Sequence, residues 1–457
     1  MRFLRIAIAV AVLLCIAASP AAAEVRALKP VRDRGRVLTF NLSSLKGTTV
    51  RKATLRFGRK KRKVKVARVR AGIRRGRLRI KMPRRWVRAA RRAHRPRHWA
   101  RRRVRLVITA DRTSPTPVTP GALGAGRRVY AYYYLWWSQQ HWHDKLGSSY
   151  PYDENPLPLP ATLDASGCNP VSRYPGNQLT DVPAMLYGQD DPGLIERHIR
   201  LAANAGLAGF LVNWAGTGSA GQTSSSVTYS RRLDALFSAV RKVNAEGIPF
   251  KIWISYKGSS MPPVDAILND LDYLARTYGN DSAYDHAYSS RPVFVWTGSR
   301  KYPLGAIRTV SERFRSRFFL VGDETESTWS DGRSAYFDGD SYYWSSQDPY
   351  GNPQSFAQVR SLATKVRASG ANPDGSRKLW FAPVTPGYNS QLSGGSTCVP
   401  RNDGQTMQLL FQGNAASNPD GWTLISWNEI SEGSYIEPLQ RYGSRYLDVV
   451  GSVIRGP

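Results

Sequence analysis

Between residues 24 and 110 the apolar positions recur every second residue in short runs, at 37–42, 53–57, 64–69, 78–82 and 104–108. That period predicts strands with one buried face. Gly47, Gly58, Gly72 and Gly76 punctuate the runs as turns. The alternate positions are mostly Lys or Arg, so the segment reads as a small antiparallel sandwich with a basic outer face.

A Pro/Thr/Gly-rich stretch at 111–126 reads as a linker, and a different pattern begins at Arg127. Apolar runs at 129–137, 209–214, 250–256, 292–296, 318–322, 335–338, 379–384 and 422–427 alternate with helical patterns. The helices fall at 192–205, 230–246, 264–278, 304–314, 355–369, 406–416 and 443–454. Repeated βα units of this number predict a (β/α)8 barrel. A doubly wound sheet would need a Gly-rich turn after its first strand. Tyr132-Tyr133-Tyr134-Leu135-Trp136-Trp137 occupies that place instead.

Charge divides the chain at the same boundary. The formal net charge is +33, and residues 24–113 hold 34 basic side chains against three acidic ones. Residues 114–457 hold 30 of each. The basic face therefore belongs to the first domain alone, and suits an anionic cell-envelope polymer. DNA would satisfy the same face, but an export signal argues against it. The alternative is a solvated, charge-biased spacer.

That signal is residues 1–23, with Arg2 and Arg5 at the charged end, an apolar core over 6–18 and Ala21-Ala22-Ala23 for cleavage. No other segment is long and apolar enough to serve as a transmembrane anchor after its removal. The remaining chain keeps two cysteines, Cys168 and Cys398. In an oxidising compartment such a pair is expected to form a disulfide.

In a barrel the chemistry sits at the carboxyl ends of the strands. Those ends carry Tyr132, Tyr134, Trp136, Asn213, Trp214, Tyr256, Glu324, Tyr388 and Asn428. Aromatic rings stack on the apolar faces of pyranoses while amides and acids bond hydroxyls, so these are candidate substrate-binding residues. His141 and His143 form an H-x-H pair with no third ligand nearby. No metal centre and no cofactor, nucleotide cofactors included, is expected.

The last strand runs into Trp427-Asn428-Glu429-Ile430-Ser431-Glu432-Gly433-Ser434-Tyr435-Ile436-Glu437-Pro438. Glu429 and Glu432 are paired carboxylates of the kind that glycosidic cleavage requires. The alternative reading makes them loop acids or helix caps. The string closely resembles the signature F/W-N-E-W-H-E-G-T-x-I-E-P of glycoside hydrolase family 99, the endo-α-mannosidases and α-mannanases. Tyr442-Gly443 and Tyr446-Leu447 fit the Y-G-x-x-Y-L that follows it. Tyr132–Trp137 resembles the first-strand Y-Y-x-W, and residues 206–216 resemble the second-strand G-x-x-G-F-x-x-x-W-x-G.

The resemblance covers about 127–450 and implies a retaining α-glycoside hydrolase acting on a polysaccharide or glycan. It implies that Glu429 takes the proton of the sugar 2-hydroxyl and that Glu432 is the acid/base. Ile430 stands where the family has Trp and Ser431 where it has His, at positions that line its sugar pocket. Two other readings stay open. One is a glycosyltransferase-like protein of the related WbsX-type branch, and the other is a non-catalytic envelope glycan-binding protein.

Overall fold

The computed structural model describes most of residues 24–84, residue 87 and residues 104–112. It also describes 128–455 apart from 160–165, 169–173, 177, 219–224 and 258–260. The expected export signal at 1–23, most of the arginine-rich run 84–105 and all but two residues of the expected linker lie outside these. The chain forms two compact units, divided between Pro117 and Val118.

The first unit is built from two antiparallel sheets. One has the order β1 (Glu24–Leu28), β7 (Val104–Arg112), β4 (Thr48–Phe57), β5 (Lys60–Lys63). The other orders β2 (Arg32–Arg34), β3 (Val37–Asn41) and β6 (Arg77–Lys81). Leu38, Phe40, Leu55, Leu78, Ile80, Leu106 and Ile108 share one buried core. In β6 the alternation is explicit, with Leu78 and Ile80 buried and Arg77, Arg79 and Lys81 exposed. The run 64–69 departs from expectation, because Val66–Arg74 is a helix. Val66 and Val69 are three residues apart, and both pack on the core from one helical face.

In the second unit eight parallel strands close a barrel. They are β8 (Arg128–Tyr134), β9 (Gly209–Trp214), β10 (Lys251–Lys257), β11 (Val293–Thr297), β12 (Phe319–Gly322), β13 (Gly339–Asp340), β14 (Leu379–Val384) and β17 (Gly421–Leu424). Side-chain alternation splits most of these strands between two cores. Tyr130, Tyr132, Tyr134, Leu211, Trp253, Val295, Val321 and Phe381 fill the barrel. Their neighbours Tyr133, Phe210, Val212, Trp214, Ile254, Tyr256 and Phe294 face the surrounding helices.

The sixth strand is displaced from its expected place at 335–338. Asp338 ends the approach, accepting the Leu320 N–H at 2.8 Å and the Arg315 Nε–H at 2.9 Å. Gly339 then pairs where a Cβ would lie 2.5 Å from the Leu379 carbonyl oxygen. Two helices also lie beyond the expected set, Gln139–Leu146 and Glu326–Ser330. Between β14 and β17 the chain makes a small antiparallel hairpin, β15 (Tyr388–Asn389) with β16 (Cys398–Val399). No helix among the described residues is long and apolar enough to cross a membrane.

Candidate active site

The segment after β17 is folded back on itself before it reaches the acids. The Trp427 N–H donates to the Tyr132 carbonyl at 2.7 Å, which keeps the chain against β8. The Ser426 hydroxyl oxygen accepts the Glu429 N–H at 2.8 Å, and the Glu429 carbonyl accepts the Ser434 N–H at 3.2 Å. One tight turn therefore carries both glutamates. Glu429 is buried and Glu432 half-buried. Burial raises the Glu432 carboxyl above the ordinary glutamate range.

Three phenols feel the charge of the pair. The hydroxyl groups of Tyr134 and Tyr343 lie 2.8 Å apart. Burial first, then the charge of Glu429, holds Tyr134 protonated far above the usual tyrosine range. Tyr343 is raised by burial, by Tyr134 and by Glu432. Tyr388, on the hairpin, is raised by burial and by Glu432. These phenols remain hydrogen-bond donors at any physiological pH.

The other sequence candidates divide by strand parity. Trp136 stacks on Tyr134 with ring centroids 4.3 Å apart. Tyr132 forms a floor, its ring edge-on to Tyr343 at 5.0 Å. Asn213 pairs with Tyr134 across the inner face, and its buried amide oxygen has no partner among the described residues. Trp214 and Tyr256 do not join them. They are one residue further along, hence on the outer face, where the Trp214 indole N–H donates to the Ser230 hydroxyl and the Tyr256 hydroxyl to Asp270.

Glu324 also turns outward. It accepts a hydrogen bond from the Ser299 hydroxyl at 2.5 Å, and its other oxygen lies 3.7 Å from the Arg333 Nε. The amide of Asn428 is spent on the backbone. Its oxygen accepts the Tyr134 N–H at 2.8 Å, and its NH2 donates to the Tyr134 carbonyl at 2.9 Å. It clamps the eighth strand to the first rather than facing a ligand.

Ile430 is buried in an apolar cluster with Trp137, Trp142, Leu146 and Tyr435. His141 and His143 lie on the helix Gln139–Leu146, two positions apart and so on different faces. His141 meets Trp137 edge-on at 4.8 Å, whereas His143 stacks on Tyr152 at 3.9 Å. Cys168 and Cys398 form a disulfide with Cα atoms 5.7 Å apart.

Tyr343 was absent from the sequence candidates. Its signal was the Tyr342-Tyr343-Trp344 run just after the sixth strand, hidden by the displacement of that strand. Asp323 presents it by accepting the Tyr343 N–H at 2.9 Å and the Gly298 N–H at 2.7 Å, with Arg300 paired to the same carboxylate.

Known structures share this architecture. An endo-α-mannosidase of glycoside hydrolase family 99 from Bacteroides thetaiotaomicron superposes with a TM-score of 0.53 at 20% identity. The alignment covers 72% of this chain and 96% of that one. The two share a barrel fold. The same enzyme solved with bis-tris propane gives a TM-score of 0.52 at 19% identity, over 72% of this chain and 96% of that one. A glycoside hydrolase-like protein gives 0.50 at 12% identity, over 75% of this chain and 98% of that one. No protein-family model and no curated protein matches the sequence.

Proposed function

We propose that this protein is a secreted, retaining α-glycoside hydrolase that acts on an α-mannan-like or related polysaccharide. The observation that carries the reading is the single turn holding Glu429 and Glu432 at the carboxyl end of the eighth strand, within the field of Tyr134, Tyr343 and Tyr388. Two carboxylates, protonated phenols and a stacked Trp136 supply what a pyranose needs for binding and for acid/base work.

In the proposed reaction Glu429 removes the proton of the sugar 2-hydroxyl. The freed oxygen attacks the anomeric carbon as the glycosidic bond breaks, giving a 1,2-anhydro sugar. Glu432 donates its proton to the departing oxygen, and the raised affinity of its carboxyl for a proton suits that role. Glu432 then takes a proton from water, whose oxygen opens the strained ring, while the 2-oxygen recovers its proton from Glu429. Two inversions at one carbon give retention.

Glu429→Gln and Glu432→Gln each keep side-chain shape but cannot exchange the proton. Release of oligosaccharide from α-mannan should fall by roughly 100-fold or more in each. Undiminished turnover in either variant removes that residue from the reaction.

A further inference from the structure

The Glu432 carbonyl is held from outside its own turn. The Asn389 N–H, on the β15–β16 hairpin, donates to it at 2.6 Å. Asn389 pairs with Cys398 across the hairpin, and Cys398 is joined to Cys168. The Asn389 side-chain NH2 also reaches back to the Gly167 carbonyl at 3.0 Å.

A second hold comes three residues past Cys398. Arg401 is buried and makes no ion pair among the described residues. Its two terminal nitrogens donate to the carbonyls of Gly433 at 2.8 Å and Tyr435 at 2.7 Å. Its guanidinium lies over the rings of Tyr435, Tyr442 and Tyr446, 3.9–4.5 Å from their centroids. Its backbone N–H donates to the Ser166 carbonyl at 2.8 Å. A buried cation without a carboxylate is costly unless its donors are satisfied. Here both terminal nitrogens are spent on the residues immediately after Glu432, and only the Nε–H has no hydrogen-bond partner among the described residues.

We infer that Arg401 and the β15–β16 hairpin, fastened to residues 166–168 by the Cys168–Cys398 bridge, are the positioning elements of Glu432. The inference rests on the proposed role of Glu432 as proton donor. A planar fork reaches two carbonyls at once, which a lysine does not. Loosening either hold lets the Glu432 turn drift by a fraction of an ångström, enough to misalign a proton transfer without removing the carboxylate.

The test compares Arg401→Lys and the double variant Cys168→Ser/Cys398→Ser with the parent protein on two substrates. One is an α-linked oligosaccharide, whose departing alcohol needs a proton. The other is an aryl α-glycoside with a nitrophenol-type leaving group, which does not. On the oligosaccharide kcat/KM, which reports glycosidic cleavage and not the ring opening common to both substrates, should fall roughly 10- to 100-fold. On the aryl glycoside the variants should stay within a few-fold of the parent. Equal losses on both substrates, or none on either, overturn the assignment.

A readout independent of turnover separates the two ideas. Carbodiimide coupling of glycine ethyl ester to Glu432, followed by peptide mass spectrometry, should be several-fold faster in Arg401→Lys. An unchanged rate overturns the positioning role. If the parent protein hydrolyses no α-glycoside, the proposed function fails, and this labelling alone decides whether Arg401 orders Glu432.

Discussion

The Tyr134 hydroxyl at the end of the first barrel strand lies 2.8 Å from the Tyr343 hydroxyl just past the sixth. One of these oxygens donates to the other, which leaves a single phenolic proton free to point at a carboxylate or a sugar. Tyr343→Phe keeps the ring and removes one member of the pair. Because the lost donor stands in the field of Glu432, kcat/KM should drop roughly 10-fold or more, with melting temperature little changed. Parallel kinetics and calorimetry check this, and full turnover would reduce the pair to packing.

The clamp at Asn428 makes a different demand. Its amide satisfies both the N–H and the carbonyl of Tyr134 inside the protein. Asn428→Ala leaves the buried Tyr134 N–H without its partner, while the Tyr134 carbonyl keeps the Gln189 side-chain NH2 at 2.7 Å, at an expected cost of about 1–3 kcal/mol. Urea unfolding measures it. A loss below about 0.5 kcal/mol would mean that water or a backbone shift replaces the amide.

Asp181 gives stability a pH dependence. Burial raises its carboxyl to about 6, although the Tyr435 hydroxyl and the backbone N–H groups of Val182 and Arg441 all donate to it. Its ordinary value is 3.8. The folded state therefore holds this proton more tightly than the unfolded chain. Its contribution is fully present below about pH 4 and is lost as pH rises through 6, by about 3 kcal/mol. In Asp181→Asn that component should vanish from the difference between melting temperatures at pH 4 and pH 7. An identical pH dependence in both proteins would refute the assignment.

The basic unit predicts salt-sensitive binding. Its 34 basic side chains against three acidic ones over 24–113 favour many weak contacts with an anionic polymer. Raising salt from 0.1 M to 1 M shortens the screening length from about 10 Å to about 3 Å. Retention of the full chain on an anionic envelope glycan should collapse over that range, whereas turnover of a small neutral glycan should not. Equal retention at both salts would assign the binding elsewhere.

The seven other barrel strands could be read from periodicity because each is a run of apolar residues between polar turns. The sixth could not. Gly339-Asp340 carries almost no apolar signal, and the nearby Tyr336 and Phe337 draw the pattern upstream. That error concealed Tyr343. Residue type identified the correct strand ends but not the face, so Trp214 and Tyr256 resembled Tyr134 and Asn213 in the sequence. Only the closed register separates them, since adjacent residues on a strand point to opposite sides. Ser138 caps the short helix Gln139–Leu146 by accepting the His141 N–H.

The bridge between Cys168 and Cys398 spans 230 residues and encloses six of the eight barrel strands, β9 to β14. A protease that cuts any one loop between them does not release a fragment. The nicked chain keeps its full mass on a non-reducing gel and separates into two pieces only after thiol treatment. A barrel built this way would tolerate a single proteolytic cut, because the severed ends stay tethered on the folded barrel.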